Sequence, residues 1–144
     1  MVKFINDVSI HEYEVTIDEL GTLANVCNDS FKPVNVLTNR TNTIRGYYCC
    51  DDKVMIACVN GTIKLVLFDL NQKSSTEHDI NEFFMGEAKP LLITIPKNVA
   101  FSWQCISSID SIVVTTMKNY NCVINPYSED KQIEQLGFAI PYTF

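Results

Sequence analysis

Side chains able to move protons or attack carbon near neutral pH are scarce in this chain. It has two histidines, His11 and His78, and six cysteines, Cys27, Cys49, Cys50, Cys58, Cys105 and Cys122. His11 stands next to Glu12, and His78 lies in the polar stretch Ser74 to Asn81, so both read as solvated surface residues. Neither has a cysteine at ligand spacing, and no metal is expected. The same scarcity leaves no Ser-His-Asp or Cys-His pairing to activate a nucleophile. Cys49 and Cys50 are adjacent, a poor geometry for a mutual disulfide, and no pair is spaced as CxxC. Their nearness to Arg45 favours a thiolate, because a neighbouring cation lowers a thiol pKa. Reduced cysteines otherwise serve as small core residues. Arg45 also has ion-pair candidates in Asp51 and Asp52. Glu77, Asp79, Glu82 and Glu87 form an acidic patch that reads as a solvated face. No GxGxxG or GxxxxGK[ST] segment offers a phosphate-cradling loop, and no cofactor is expected.

Strands are the elements that must position these groups. Runs rich in Val, Ile, Thr and aromatics predict strands at Asp7–Val15, Val34–Leu37, Thr43–Cys49, Lys53–Val59, Thr62–Asp69, Leu91–Ile95, Ala100–Ser107, Asp110–Met117 and Gln135–Ile140. Turn signals separate them at Asp51-Asp52, Pro96-Lys97-Asn98, Asn119-Tyr120-Asn121 and Asn125-Pro126. Asn60-Gly61, between two apolar runs, is the sharpest hairpin signal. Both faces of Lys64–Asp69 are apolar, which predicts a central strand. The best helical candidate is the short stretch Asp79–Met85. Short strands at this spacing predict an all-β sandwich or barrel.

The 144 residues fit one domain, 1–144, with no linker and no repeat. Hydrophobic residues make up 47% and charged residues 19%, which excludes intrinsic disorder. The net charge of -6 and the lack of a basic cluster argue against nucleic acid as a partner. No apolar run is long enough to span a membrane. Met1–Ser9 lacks the continuous apolar stretch of a signal peptide, so a cytoplasmic protein is expected.

Several segments then fall in a familiar order. Arg45-Gly46 follows an apolar strand end, and Lys53 opens the strand that closes on Cys58-Val59-Asn60-Gly61. Next come Asp69-Leu70 with Ser74-Ser75-Thr76, then Ile95-Pro96-Lys97-Asn98-Val99-Ala100, then Asn119-Tyr120; Asp18-Glu19-Leu20-Gly21 stands upstream. From Asp18 to Pro141 this series resembles the dTDP-4-dehydrorhamnose 3,5-epimerase family, a sugar-nucleotide branch of the cupin barrels. The resemblance implies a cupin-like jelly-roll barrel, the double-stranded β-helix, with at most one short helix. It implies a nucleotide-linked sugar as ligand, a dTDP-sugar foremost, and a place in deoxysugar or surface-polysaccharide biosynthesis. It also implies a homodimer in which residues 1–15 are exchanged as a strand. Arg45 and Lys53 match positions that bind the sugar nucleotide or polarise an oxygen. Tyr47, Phe101, Trp103 and Tyr120 complete the expected substrate wall.

The departures from the family pattern fall on its catalytic groups. Tyr48 stands where the family has its catalytic His, and Phe101 stands where it has the second His of that site. Thr115 aligns with the tyrosine acid, Ser128 with the Asp that partners the base (Asp130 is close by), and Leu20 with an Arg. Epimerisation beside a ketone needs a base to take a carbon-bound proton and an acid to return one on the other face. A neutral His held by a carboxylate suits the first role near pH 7. Tyr48, with a reference pKa of about 10, needs several units of depression to do the same. Two expectations follow. One is a diverged epimerase or isomerase in which Tyr48 is the proton-transfer group. The alternative is a binding or scaffold subunit that keeps the barrel without the catalysis.

Overall fold

The computed structural model describes residues 5, 15–27, 33–117 and 120–144, without the side chains of 25–27 and 120–122. Among these residues there are eleven strands and one helix. The strands are β1 (Val15–Asp18), β2 (Gly21–Cys27), β3 (Val34–Asn39), β4 (Ile44–Cys50), β5 (Val54–Asn60), β6 (Thr62–Asp69), β7 (Ile80–Gly86), β8 (Leu92–Ile95), β9 (Val99–Cys105), β10 (Ser111–Thr115) and β11 (Tyr120–Val123); the helix is α1 (Glu129–Leu136). They form two antiparallel sheets. One runs β1-β2-β3-β10-β5-β8 and the other β11-β4-β9-β6-β7. This is the all-β architecture that the strand pattern predicts, in the jelly-roll form with one short helix that the resemblance implies. No described helix is long and apolar enough to cross a membrane.

Alternation puts one face of the first sheet inside. Along β3, β5 and β10 buried residues alternate with half-buried or exposed ones. Leu37, Ile56 and Val113 thus point inward from the first sheet. They meet Ile63, Leu65, Phe101 and Trp103 of the second in one core. β6 pairs with β9 on one side and β7 on the other, which makes it central as its two apolar faces predict. Leu65 and Leu67 face inward, while Val66 and Phe68 face outward into a second core. That outer core is closed by the C-terminal segment through Leu136, Phe138, Ile140, Tyr142 and Phe144.

The C-terminal segment is held by ordinary capping chemistry. Ser128 caps α1 by accepting from the Lys131 N–H, and Glu129 and Asp130 complement the dipole in the first turn. Gly137 ends the helix in the left-handed region at φ 84°. Buried Gln132 donates to the Asn125 carbonyl and accepts from the Ile140 N–H, tying both flanks together.

Several local expectations are overturned. Asp79–Met85 is not a helix: Ile80–Gly86 is edge strand β7, paired along its length with β6. Gln135–Ile140 is not a strand: Gln135 and Leu136 end α1, and the following residues pack as irregular chain. Asn60-Gly61 is not a hairpin turn. β5 pairs with β10 and β8, β6 pairs with β9 and β7, and the turn carries the chain from one sheet to the other. Tyr120 begins β11 rather than lying in a turn. The hairpin β1–β2 was not predicted. The predicted strand Asp7–Val15 lies outside the described residues except for Val15, as does most of the exchange segment 1–15.

Candidate functional site

The site is organised by a bulge in β4. Arg45 pairs with Trp103 and Tyr48 with Phe101, so Gly46 and Tyr47 together oppose Ser102. Residues three apart on a regular strand face opposite ways; the extra residue brings Arg45 and Tyr48 to the same inner face. Gly46 is required there. Its φ is 110°, and a Cβ would lie 2.7 Å from the Phe101 carbonyl oxygen. Ser102 fastens the bulge by donating from Oγ to the Arg45 carbonyl at 2.6 Å. Tyr47, displaced to the outer face, is 1% exposed and packs with Ile124 and Phe144. Burial pushes its phenol up to about 12.

Inside the barrel the candidate residues separate along the strands. Tyr48 is half-buried, with its ring centroid 5.8 Å from Phe101 and 5.7 Å from Trp103. Phe101 and Trp103 are fully buried and stack at 6.2 Å. Towards one end lies a buried polar cluster. Asn39 Oδ1 accepts from Arg45 Nε at 3.0 Å and from Trp103 Nε1 at 3.1 Å. Arg45 Nη2 donates to the carbonyls of Thr38 at 3.0 Å and Thr22 at 3.3 Å. Arg45 is therefore not paired with Asp51 or Asp52, which are exposed beyond the far end of its strand. Its hydrogen bonds clasp the β1–β2 hairpin to β3 and close this end of the barrel.

The other end opens as a cleft of about 280 Å³ lined by Leu67, Asp69, Asn71, Ser74, Thr76, Asp79, Asn81, Pro96, Lys97 and Val99. Leu67 pairs with Phe101 and Asp69 with Val99, so the apolar floor continues inward to the row holding Tyr48. The Asp69 carboxylate accepts from the Asn71 N–H at 2.8 Å and the Thr76 hydroxyl at 2.7 Å. Burial pushes this carboxyl up, but those donors, the Ser74 hydroxyl and the nearby His78 outweigh it and hold it below its ordinary value. Lys53 is exposed at the same end, next to Val54, which pairs with Ile95 just before Pro96. Sequence reasoning selected Lys53 but not Asn71, Thr76, Asp79, Asn81 or Lys97. The signal was present in part: Asp69-Leu70, Ser74-Ser75-Thr76 and Pro96-Lys97 stood out as ordered segments, and the barrel gathers them on one rim.

The remaining candidates lie elsewhere. Tyr120 is in β11, but its side chain is outside the described residues. Thr115 is buried on the inner face of the first sheet and accepts from the Met117 N–H. Ser128 and Asp130 sit in the capping turn of α1, among residues that cover the outer face. His78 is exposed, stacks on Phe68 at 5.5 Å and lies 3.6 Å from Glu77. Cys50 belongs to the inner core and Cys49 to the outer one. Burial pushes the Cys58 thiol up. Among the described residues no group of His, Cys, Asp and Glu is arranged to hold a metal.

No model of a known protein family matches the chain. It is 34% identical over 62 residues to the spore coat polysaccharide biosynthesis protein SpsL of Bacillus subtilis, a match spanning 42% of this chain and 41% of that protein. Its structure is similar to the capsular polysaccharide assembling protein CapF of Staphylococcus aureus, with a TM-score of 0.62 and 14% identity over 76% of this chain. The chain spans only 28% of CapF. It is also similar to the dTDP-4-dehydrorhamnose 3,5-epimerase of Sulfolobus tokodaii, with a TM-score of 0.55 and 20% identity over 77% of this chain and 76% of that one. The fold that these two solved structures share with the chain is the cupin barrel.

Proposed function

We propose that this chain is a cytoplasmic nucleotide-sugar-binding cupin of surface-polysaccharide or deoxysugar biosynthesis, with its ligand at the open end of the barrel. The observation that carries this reading is the rim cleft. Amide, hydroxyl and carboxylate groups surround an apolar floor, with Lys97 on the rim and Lys53 at the same end. Sugar hydroxyls are recognised by such planar amides and carboxylates, a sugar ring lies on an apolar floor, and the ammonium groups suit a diphosphate. The likeness to proteins named for polysaccharide biosynthesis and to a dTDP-sugar epimerase supports the same ligand class.

The interior favours binding without the family's epimerisation. Phe101 cannot titrate, and the Tyr48 ring packs against Phe101 and Trp103. Buried Phe101 and Trp103 favour the second reading, a non-catalytic subunit that holds or presents a nucleotide sugar to a partner enzyme.

A thermal-shift series with dTDP, dTDP-glucose, UDP, GDP and CDP tests the site. A ligand that binds only the folded state raises Tm with its free concentration over Kd. The expected result is a clear shift with at least one of them, dTDP-sugars foremost. A folded protein that shifts with none overturns the reading. The ligand that binds then goes, as its 4-keto sugar nucleotide, into heavy water. Absence of deuterium in recovered sugar fits the binding subunit, and incorporation establishes an enzyme.

A further inference from the structure

Residues 138–144 cross the outer face of the second sheet without joining it. They form no strand, and among the described residues none of their backbone groups bonds to one. The Ile140 N–H donates to Gln132 Oε1 at 2.8 Å and the Tyr142 N–H to the Ile140 carbonyl at 2.7 Å, so both bonds stay local. Among the described residues, side chains alone hold this strap to the sheet. Ile140 is buried in the outer core. The Phe138 ring lies 6.0 Å from Phe68 and 4.9 Å from His78. Tyr142 donates from its phenol to Glu82 of β7. Lys64 of β6 sets its ammonium 5.3 Å from the Tyr142 ring and 5.1 Å from the Phe144 ring. An element held this way lies at the low end of local stability and opens without global unfolding.

One buried group opposes docking of the strap. The Tyr47 ring lies 6.2 Å from Phe144, and its phenol oxygen is buried with no hydrogen-bond partner among the described residues. Docking strips water from that phenol and returns nothing, and lifting the strap restores it. Gly137, the joint between α1 and the strap, has φ 84° and open space around it, since a Cβ there would meet nothing within 4 Å. Tyr47 also links the strap to the barrel interior. In a regular strand with Arg45 inside, Tyr47 would face inward and Tyr48 outward; the bulge reverses both. Burial of the Tyr47 ring beneath the strap therefore favours the bulged register that holds Tyr48 inside. The backbone of Tyr47 is fastened at the same place: Tyr47 and Ile124 exchange N–H···O bonds at 2.7 and 2.8 Å.

We propose that residues 138–144 form a displaceable latch, which undocks as a unit from the folded barrel and in doing so releases the β4 bulge that holds Tyr48 on the inner face. The inference rests on hydrogen bonding and packing, not on the ligand reading. Amide hydrogen exchange resolved residue by residue by NMR tests it. The amides of Ile140 and Tyr142 in the strap, and of Tyr47 and Ile124 at the bulge, are expected to exchange at one common rate. That rate is expected to be at least about tenfold faster than the amides of β6, which is paired on both sides. Ile56→Val trims the inner core of the first sheet, away from the strap. It is expected to speed exchange in β6 by a few-fold and to leave the four latch amides unchanged. Tyr47→Phe removes only the unpartnered hydroxyl and is expected to slow all four by about tenfold. Tyr142→Phe removes the bond to Glu82 and is expected to speed all four by about fivefold. Strap amides that exchange at the β6 rate, or that follow β6 in Ile56→Val, overturn the latch. Tyr47 and Ile124 amides that follow β6 while the strap does not overturn its link to the bulge. Faster exchange in Tyr47→Phe overturns the role given to the phenol.

Discussion

Asn39 is the most informative position to perturb. It is fully buried, and its one carbonyl oxygen accepts from both the Arg45 guanidinium and the Trp103 indole. Asn39→Leu keeps the volume and removes that oxygen. Leaving a buried donor unsatisfied costs about 1–3 kcal/mol for a neutral group and more for a charged one. The indole N–H and the guanidinium Nε–H both lose their acceptor, so the expected loss is about 3–5 kcal/mol. At about 2–4 °C per kcal/mol for a chain of this size, Tm falls by roughly 6–20 °C. Asn39→Asp is the control. It keeps the acceptor and adds a charge complementary to Arg45, so its expected loss is within about 1–2 kcal/mol. Trp103 is the single tryptophan of the chain and is buried at the perturbed spot. Its fluorescence in a urea titration therefore reports both unfolding and the local loss of the hydrogen bond. An Asn39→Leu variant within 1 kcal/mol of wild type refutes the reasoning. If Asp and Leu are equally damaging, the loss lies in packing rather than in the missing acceptor.

Other predictions follow from single features. The Tyr47 phenol is buried, has no hydrogen-bond partner among the described residues, and is pushed up to about 12. The unfolded phenol ionises near 10, so this stabilisation is complete below about pH 10 and is lost as pH rises through 12; the pair of values corresponds to about 2–3 kcal/mol. Tyr47→Phe should be neutral or slightly stabilising at pH 7 and should flatten the alkaline fall in urea midpoints. Gly86→Ala should cost more than about 3 kcal/mol, because its Cβ would sit 2.1 Å from the Gly61 carbonyl where the sheets meet. Gly137→Ala, with open space but φ 84°, should cost about 1 kcal/mol by the same thermal melts. Tyr48→Phe should leave nucleotide-sugar affinity unchanged and remove any solvent deuterium exchange; exchange that survives excludes Tyr48 as the proton-transfer group.

The sheets were legible where a strand's own residues decide its state. β6 was bounded to the residue, Thr62 to Asp69, because an unbroken apolar run on both faces fits only a central strand. β7 misled because it is an edge: Asn81, Glu82 and Phe84 face solvent, so the acidic residues around it look like a helix surface. α1 misled for the opposite reason. It is a short helix whose capping Ser128 and buried Gln132 mark it more clearly than its apolar pattern does. The Asn60-Gly61 signal correctly marked a tight turn, but local turn chemistry cannot say which sheet the next strand joins. The site was half legible. Arg45 and Tyr48 were placed together by resemblance, yet only the bulge at Gly46-Tyr47 explains why they share a face. Nothing local announced that Arg45 would be consumed by Asn39, Thr22 and Thr38, since those partners lie on two other strands.

This last point bears on where the proposed anionic ligand would be held. Arg45 is 4% exposed and donates to three acceptors within the protein, so recruiting it to a diphosphate means breaking the clasp at the closed end. Lys97 lines the open cleft and Lys53 is exposed at the same end, and neither is tied in this way. Solvent-exposed ammonium groups contribute up to about 1 kcal/mol each to such a contact, or about fivefold in affinity. Lys97→Ala and Lys53→Ala should each weaken nucleotide-diphosphate binding by a few-fold, and the double variant by about tenfold or more. All of these losses should shrink as salt rises. Arg45→Lys should leave the affinity of the folded protein nearly unchanged while lowering Tm, because a lysine cannot reproduce the guanidinium fork. Isothermal titration separates the two effects. A large affinity loss in folded Arg45→Lys, with Lys97→Ala silent, would move the ligand from the rim to the closed end of the barrel.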